Sequence, residues 1–261
     1  GDHGILEGFE ALHQLEAGGP ADVIGVLLAL KRLEPAVEAP PQFVGRHVLE
    51  GLLAASQVTQ VIAPTRRTLS VPEVRTGNKL RNVLIDFDRL DEYPELFDVT
   101  TIICCLGTTI KQAGSKQNFR KVDYQYCRDA AELGRAQRAR AFLLVSAIGS
   151  SISSPFFYSR VKGELEQHLL DLEYNQLSIY RPSMLLGERD EFRLGEKIYS
   201  KLTPLVDPFM RGPLRHYHAI QGKTVAQAMV NECLQLGEVI PAGPKVNIYP
   251  YDKIVKLAQG R

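Results

Sequence analysis

Tyr158 and Lys162 stand four positions apart in FFYSRVKGELE (156–166), a stretch whose apolar residues recur at helical spacing. Residues four apart share a helix face. A phenol titrates near 10 and is a poor base at neutral pH, but a neighbouring ammonium favours its ionised form. Such a couple can hand a proton to a carbonyl, or take one from an alcohol, while hydride moves. Ser146 lies twelve residues before Tyr158, at the end of a strand-like run, and could hydrogen-bond the same oxygen. Lys162 could also hold a ribose. Tyr-x-x-x-Lys is common by chance, and taken alone the better reading would be a surface pair beside a turn serine. Its company has to decide.

That company stands at other strand ends. VTQVIAP (58–64) is followed by Thr65-Arg66-Arg67, and Arg66 lies 21 positions after Gly45. Dinucleotide folds often carry an acid there for the ribose hydroxyl. Guanidinium groups instead suit a phosphate, so Arg66 and Arg67 point to a 2′-phosphate and hence to NADP(H). LRNVLIDF closes on Asp86-Phe87, where such folds meet adenine. In CCLGTT, Gly107 permits close backbone approach, and Thr108 and Thr109 offer hydroxyls. The bland alternatives stay open: a basic turn, a strand-end acid, an ordinary glycine turn.

The elements that would position these residues alternate. A helical stretch at 43–56 is followed by strands at 58–64, 80–87 and 98–107, a helix over about 120–138 and a strand at 141–149. Then come a helix from Pro155 to Leu172, capped by Ser154, and a strand at 177–187. Short apolar strands between amphipathic helices predict a doubly wound parallel sheet, the α/β Rossmann arrangement. Such sheets bind ligands outside the carboxyl ends of their strands. The expected division is an N-terminal helical segment or linker (1–42), a Rossmann core (43–187) and a small C-terminal substrate-side lobe (188–261). That lobe includes a helix at 224–236 and a strand at 245–250. ILEGFEALHQLEA and PADVIGVLLALKRLE read as two helices, the second because Pro20 and Asp22 suit a first turn; the alternative makes DVIGVLLAL a strand.

Taken together, CCLGTT, the serine of VSAIGS, YSRVKGELE and RPSMLLG resemble the atypical short-chain dehydrogenase/reductase family, in particular its Tat-interacting-protein-like oxidoreductases and their bacterial relatives. The resemblance runs from about Phe43 to about Leu236. It implies a Rossmann fold binding NADP(H), with Arg66 and Arg67 on the 2′-phosphate and Leu106, Gly107 and Thr108 lining the cofactor. It further implies Tyr158 and Lys162 as the catalytic pair, Ser146 as the substrate-orienting serine, and Arg181 and Pro182 beside the nicotinamide. Members of that family open with a strand and a Gly-x-x-Gly-x-x-Gly loop. Here only its last glycine, Gly45, is present, preceded by VEAPPQ. If the chain is continuous, DVIGVLLAL or another segment has to fill the first-strand position.

The remaining features bound the partners. Lys+Arg 31 against Asp+Glu 30 gives no basic excess for nucleic acid or anionic lipid. No apolar run reaches membrane-spanning length, so no membrane attachment is expected. The four cysteines show no zinc spacing, and reduced thiols suggest a cytoplasmic protein. His216 and His218 form an H-x-H pair without further ligands nearby, so no metal is expected. The stripe Phe156, Val161, Leu165, Leu169 and Leu172 suits sheet packing or a homodimer. The leading function is an NADP(H)-dependent oxidoreductase acting on a small-molecule carbonyl or alcohol. The alternative is an NADP(H)-binding regulatory or scaffolding protein with little turnover, favoured by the altered glycine loop. A sugar-nucleotide epimerase would need a larger substrate lobe.

Overall fold

The computed structural model describes residues 23–28, 43–66, 68–69, 78–186, 218–238 and 241–260. In chain order these form β1 (Val23–Leu28), α1 (Phe43–Ala54), β2 (Gln60–Thr65) and β3 (Leu80–Leu84). Two 3₁₀ turns, Phe87–Glu92 and Pro94–Phe97, lead to β4 (Thr101–Cys105). Next come α2 (Ile110–Ala113), α3 (Lys116–Arg120), a π turn (Lys121–Gln125) and α4 (Tyr126–Ala136). β5 (Ala141–Val145), α5 (Phe157–Asp171), β6 (Gln176–Tyr180) and β7 (Leu185–Leu186) follow. The last elements are β8 (Ile220–Gln221), α6 (Gly222–Glu238), β9 (Lys245–Tyr249) and α7 (Tyr251–Ala258).

Seven strands form one sheet in the order β3-β2-β1-β4-β5-β6-β9, every pairing parallel. This is the doubly wound Rossmann order, and its switch point lies between β1 and β4. The helix preferred for PADVIGVLLALKRLE is overturned at its centre: Val23–Leu28 is the middle strand. It pairs with β2 (Ile24↔Val61) and with β4 (Ile24↔Thr101). The first-turn signals of Pro20 and Asp22 lose to the sheet's demand. Without a strand here, β2 and β4 would each leave a row of backbone donors and acceptors unpaired. Residues 188–217 of the expected C-terminal lobe lie outside the described residues. Its last strand, β9, joins the main sheet beside β6.

Apolar alternation builds a core on each face. Val61, Ile103 and Leu143 face α1 and α6, where Val48, Leu49, Leu52, Val225 and Met229 are buried. Ile62, Ile102, Cys104, Phe142 and Leu144 face α4 and α5, against Ala130, Leu165 and Leu169. A buried carboxylate keys α6 to the sheet. Glu232 accepts hydrogen bonds from the hydroxyls of Ser178 (2.7 Å), Tyr249 (2.8 Å) and Tyr180.

Two helix starts differ from expectation. α5 begins at Phe157, and Ser154 accepts instead from the Phe156 N–H (3.2 Å) in the turn before it. The helix expected from about 120 begins at Lys116, capped by Ser115, and passes through the π turn before α4. On α5, a Cβ at Gly163 would lie 2.3 Å from the Ser151 carbonyl carbon and 2.6 Å from the Ile152 nitrogen. The helix reaches the β5–α5 loop only because that side chain is missing. Gly163→Ala is therefore expected to cost about 3 kcal/mol or more, read as a lowered urea midpoint. An unchanged midpoint would show that the loop yields freely.

Candidate active site

Three polar side chains recur every four residues on α5: Tyr158, Lys162 and Glu166. All lie on one helical face. Tyr158 stays 37% exposed, its ring packed against Phe119 with centroids 5.5 Å apart. Lys162 and Glu166 are buried.

Lys162 Nζ forms an ion pair with Asp123 Oδ1 at 2.8 Å, with only 3% and 1% of the two side chains exposed. The second oxygen of Asp123 accepts the Thr108 N–H at 2.8 Å. Asp123 occupies the π turn at the start of α4, and π turns are found frequently at functional sites. A Cβ at Gly107 would come within 3.5 Å of Asp123 Oδ1 and 3.9 Å of Lys162 Nζ, so the end of β4 lies directly over the ion pair.

Burial opposes the charge on Lys162, but the fields of Asp123, Tyr158 and Cys127 outweigh it and hold the ammonium above its ordinary value of 10.5. A raised ammonium pKa adds stability that is complete below the ordinary value and is lost as the pH climbs from there through the raised one, so Lys162 stays cationic across neutral pH. Burial raises the Asp123 carboxyl, against the pull of Lys162 and the Thr108 N–H.

One turn further on, Glu166 collects Ser146 and Arg181. Ser146 Oγ donates to Glu166 Oε1 at 2.5 Å and lies 3.1 Å from Ser150 Oγ. The Arg181 guanidinium grips both oxygens of Glu166, with Nε to Oε1 at 3.1 Å. The Arg181 N–H donates to Tyr249 O at 2.9 Å, and Pro182 O accepts from the Ile148 N–H at 2.9 Å. The ends of β5 and β6 are thereby tied to α5. The structure brings Ser146 to Glu166 and Arg181, and its hydroxyl proton is directed there.

A second cluster forms at the end of β2. Arg66 lies over the rings of Phe87 (5.4 Å) and Tyr126 (5.2 Å) and donates to the Tyr126 hydroxyl at 3.0 Å. The Tyr126 hydroxyl donates to Asp88 Oδ1 at 2.5 Å, and Lys121 Nζ reaches the same oxygen at 2.6 Å. Asp86 is exposed and turned inward on its own backbone, accepting the Asp88 N–H at 3.0 Å. Phe87 is buried beneath Arg66, and Leu106 lies in the core beside the Gly107 turn. Gly45 is buried within α1. Arg67 and His216 lie outside the described residues. His218 packs its ring 5.9 Å from that of Tyr251. Among the described residues no three His, Cys, Asp or Glu gather as a metal site.

Sequence reasoning missed Asp123, Glu166, Asp88, Lys121 and Tyr126. Two carried a signal. Asp123 interrupts a buried helical stripe of Phe119, Tyr126, Cys127 and Ala130, and Glu166 continues the four-residue spacing of Tyr158 and Lys162.

The sheet order, the Tyr-x-x-x-Lys helix and the Gly-Thr-Thr turn define a Rossmann protein of the atypical short-chain dehydrogenase/reductase type. The chain belongs to the HIM1 family, whose model matches residues 58–210. The protein HTATIP2 of Rattus norvegicus is 35% identical over 195 residues, covering 74% of this chain and 78% of that one. FMP52-1 of Scheffersomyces stipitis, named as mitochondrial, is 33% identical over 229 residues, covering 82% and 93%. Among solved structures, a putative NAD-dependent epimerase/dehydratase from Bacillus halodurans superposes with a TM-score of 0.57 at 14% identity, covering 92% of this chain and 100% of that one.

The expectation of a cytoplasmic protein is overturned by these relatives. Those from S. stipitis, Emericella nidulans, Aspergillus niger and Candida albicans all carry mitochondrial names. Reduced thiols could not have told the two apart, because free cysteines persist in any reducing compartment.

Removing one partner of a buried ion pair strands the other, at a cost of about 3–5 kcal/mol. Asp123→Ala is expected to lose that much in denaturant unfolding. Asp123→Leu combined with Lys162→Met should recover most of it. A single variant as stable as the parent would mean that water already reaches the pair.

Proposed function

We propose that the protein is an NADP(H)-dependent oxidoreductase acting on a small carbonyl or the matching alcohol. The observation that carries this reading is the half-exposed Tyr158 one turn from a buried, permanently charged Lys162 at the carboxyl edge of the sheet. The nicotinamide would supply or accept the hydride. Tyr158 donates the proton to the carbonyl oxygen, or takes it from the alcohol. Lys162 keeps a positive charge one turn from Tyr158 and offers a further N–H to the ribose. Ser146, with its own proton given to Glu166, meets a substrate hydroxyl as an acceptor. Arg181 and Pro182 support the nicotinamide end through the end of β6.

The residues fit such a cofactor at two places. Gly107 presents bare backbone beside Lys162, and Thr108 next to it offers a hydroxyl, its N–H being held by Asp123. At the other end the exposed Arg66, together with Arg67, receives the 2′-phosphate, with Asp86 and Phe87 beside the adenine. Gly45 would stand where α1 meets the pyrophosphate. The Bacillus halodurans neighbour is named as NAD-dependent, which supports a nicotinamide dinucleotide as the cofactor class.

A second reading, a dinucleotide-binding regulatory protein with little turnover, has one observation in its favour. The connection from Leu28 to Phe43, ALKRLEPAVEAPPQ, contains no glycine, so the usual phosphate loop is altered in sequence.

Two measurements test the proposal, and the second separates it from the regulatory reading. NADPH should bind more tightly than NADH, and Arg66→Ala with Arg67→Ala should abolish the difference, each charge-assisted contact being worth roughly 1.5–3 kcal/mol. Equal affinities in the unaltered protein would remove the 2′-phosphate from the proposal. On a carbonyl panel, Tyr158→Phe should lower kcat about 10²-fold or more while NADPH affinity holds. Full activity in that variant would make the pair structural, and normal binding without turnover on any substrate would favour the regulatory protein.

A further inference from the structure

The cluster at the end of β2 holds more than one cation. Arg66 and Lys121 come from different parts of the chain, the end of β2 and the π turn, and converge on Tyr126 and Asp88. The cluster is not in the core: Arg66 is exposed, and the Lys121 and Asp88 side chains are 40% and 46% exposed. The Asp88 carboxylate accepts an ammonium N–H and a phenol O–H on one oxygen, with a guanidinium alongside. That is a donor set for a phosphate oxygen, filled by a side chain of the protein itself.

Asp88 is also in a position to move. It stands in a six-residue 3₁₀ turn that is broken at Arg89 (φ −133°, ψ 40°), and its neighbour Asp86 holds the backbone of the turn, not the carboxylate. The hydrogen bonds from Lys121 and Tyr126 keep the Asp88 carboxyl below its ordinary range, so it is anionic at neutral pH.

We infer that Asp88 is an internal stand-in for the 2′-phosphate, and that Lys121 is a second phosphate ligand beside Arg66, exposed when Asp88 gives way. This rests on the dinucleotide reading above and deepens it. The preference for a 2′-phosphate is then set by a contest between Asp88 and the ligand for the same two cations. Asp88 weakens phosphate binding, and a ligand lacking the phosphate leaves the cluster closed.

The test titrates the full chain with 2′,5′-ADP and with 5′-AMP, which share the adenosine and differ at the ribose 2′ position. Neither depends on an intact glycine loop for the 2′ contact. Lys121→Ala is expected to weaken 2′,5′-ADP about tenfold, the low end for a charge-assisted bond because the site is solvated. Asp88→Asn should tighten it several-fold. Affinity for 5′-AMP should hold in both variants, which also reports an intact adenosine site. If Asp88→Asn leaves 2′,5′-ADP unchanged or weaker, Asp88 is a fixed support and the inference fails, even where Arg66→Ala still weakens 2′,5′-ADP. If Arg66→Ala also has no effect, the phosphate reading of the whole cluster falls with it.

Discussion

The buried contact between Lys162 and Asp123 is the constraint around which the site is arranged. Two charges with almost no solvent must satisfy each other, because an unpaired charge in that environment costs several kcal/mol. Each partner then fixes an element. Asp123 requires the π turn to hold its backbone inward, and its second oxygen pins the Thr108 N–H at the end of β4. Lys162 fixes the rotation of α5 about its axis. With that rotation set, Tyr158 one turn earlier must emerge at the sheet's edge, and Glu166 one turn later must enter it. Gly163 sets the remaining freedom, the distance between the helix and the β5–α5 loop.

Glu166 repeats this logic with a different chemistry. Its carboxylate is shared by a guanidinium and a serine, so it joins α5 to the ends of β5 and β6 at once. Glu232 does the same on the opposite face, using three hydroxyls to seat α6 on β6 and β9. Hydrogen-bonded buried carboxylates tolerate few alternative packings, because each lost donor leaves an acceptor unsatisfied. The sheet is therefore held at its carboxyl edge by polar geometry, while its faces are held by ordinary apolar packing.

Much of this was readable from residue order. Continuous apolar runs such as TIICC and AFLLV marked central strands because a strand covered on both faces has no polar side. The Tyr158–Lys162 spacing fell on one helix face, and Arg66 and the Gly107 turn fell at strand ends, as expected. The middle strand was not legible as the preferred choice. VIGVLL is short, and a short apolar run has no period that separates strand from helix. Only its pairing with two neighbours decides it. Asp123 and Asp88 were missed for a related reason. An acid on a helix or turn is usually solvated, and nothing in local order announces a partner that arrives from a segment about forty residues away. Ser146 was correctly placed at the end of β5, but the direction of its hydroxyl depends on Glu166, twenty residues downstream.

The altered connection between β1 and α1 changes what the rest of the edge has to supply. In a Rossmann fold, glycines between the first strand and helix let the pyrophosphate approach the helix amides. ALKRLEPAVEAPPQ has none, while the strand before it and the helix after it keep their places. Loss at the centre of an elongated ligand does not remove its ends. The bare turn at Gly107 beside Lys162, and the Arg66 cluster across the switch point, belong to different strands, and their described contacts come from β4, α5, the end of β2, the first 3₁₀ turn, the π turn and α4. Two ends that persist independently still bind through their summed free energies, provided one ligand spans both. On this geometry, affinity for a dinucleotide passes from the backbone of one loop to side chains at either end. Under the proposed NADP(H) reading, contacts at the 2′ substituent would then account for a larger share of it than in a fold with its glycines in place.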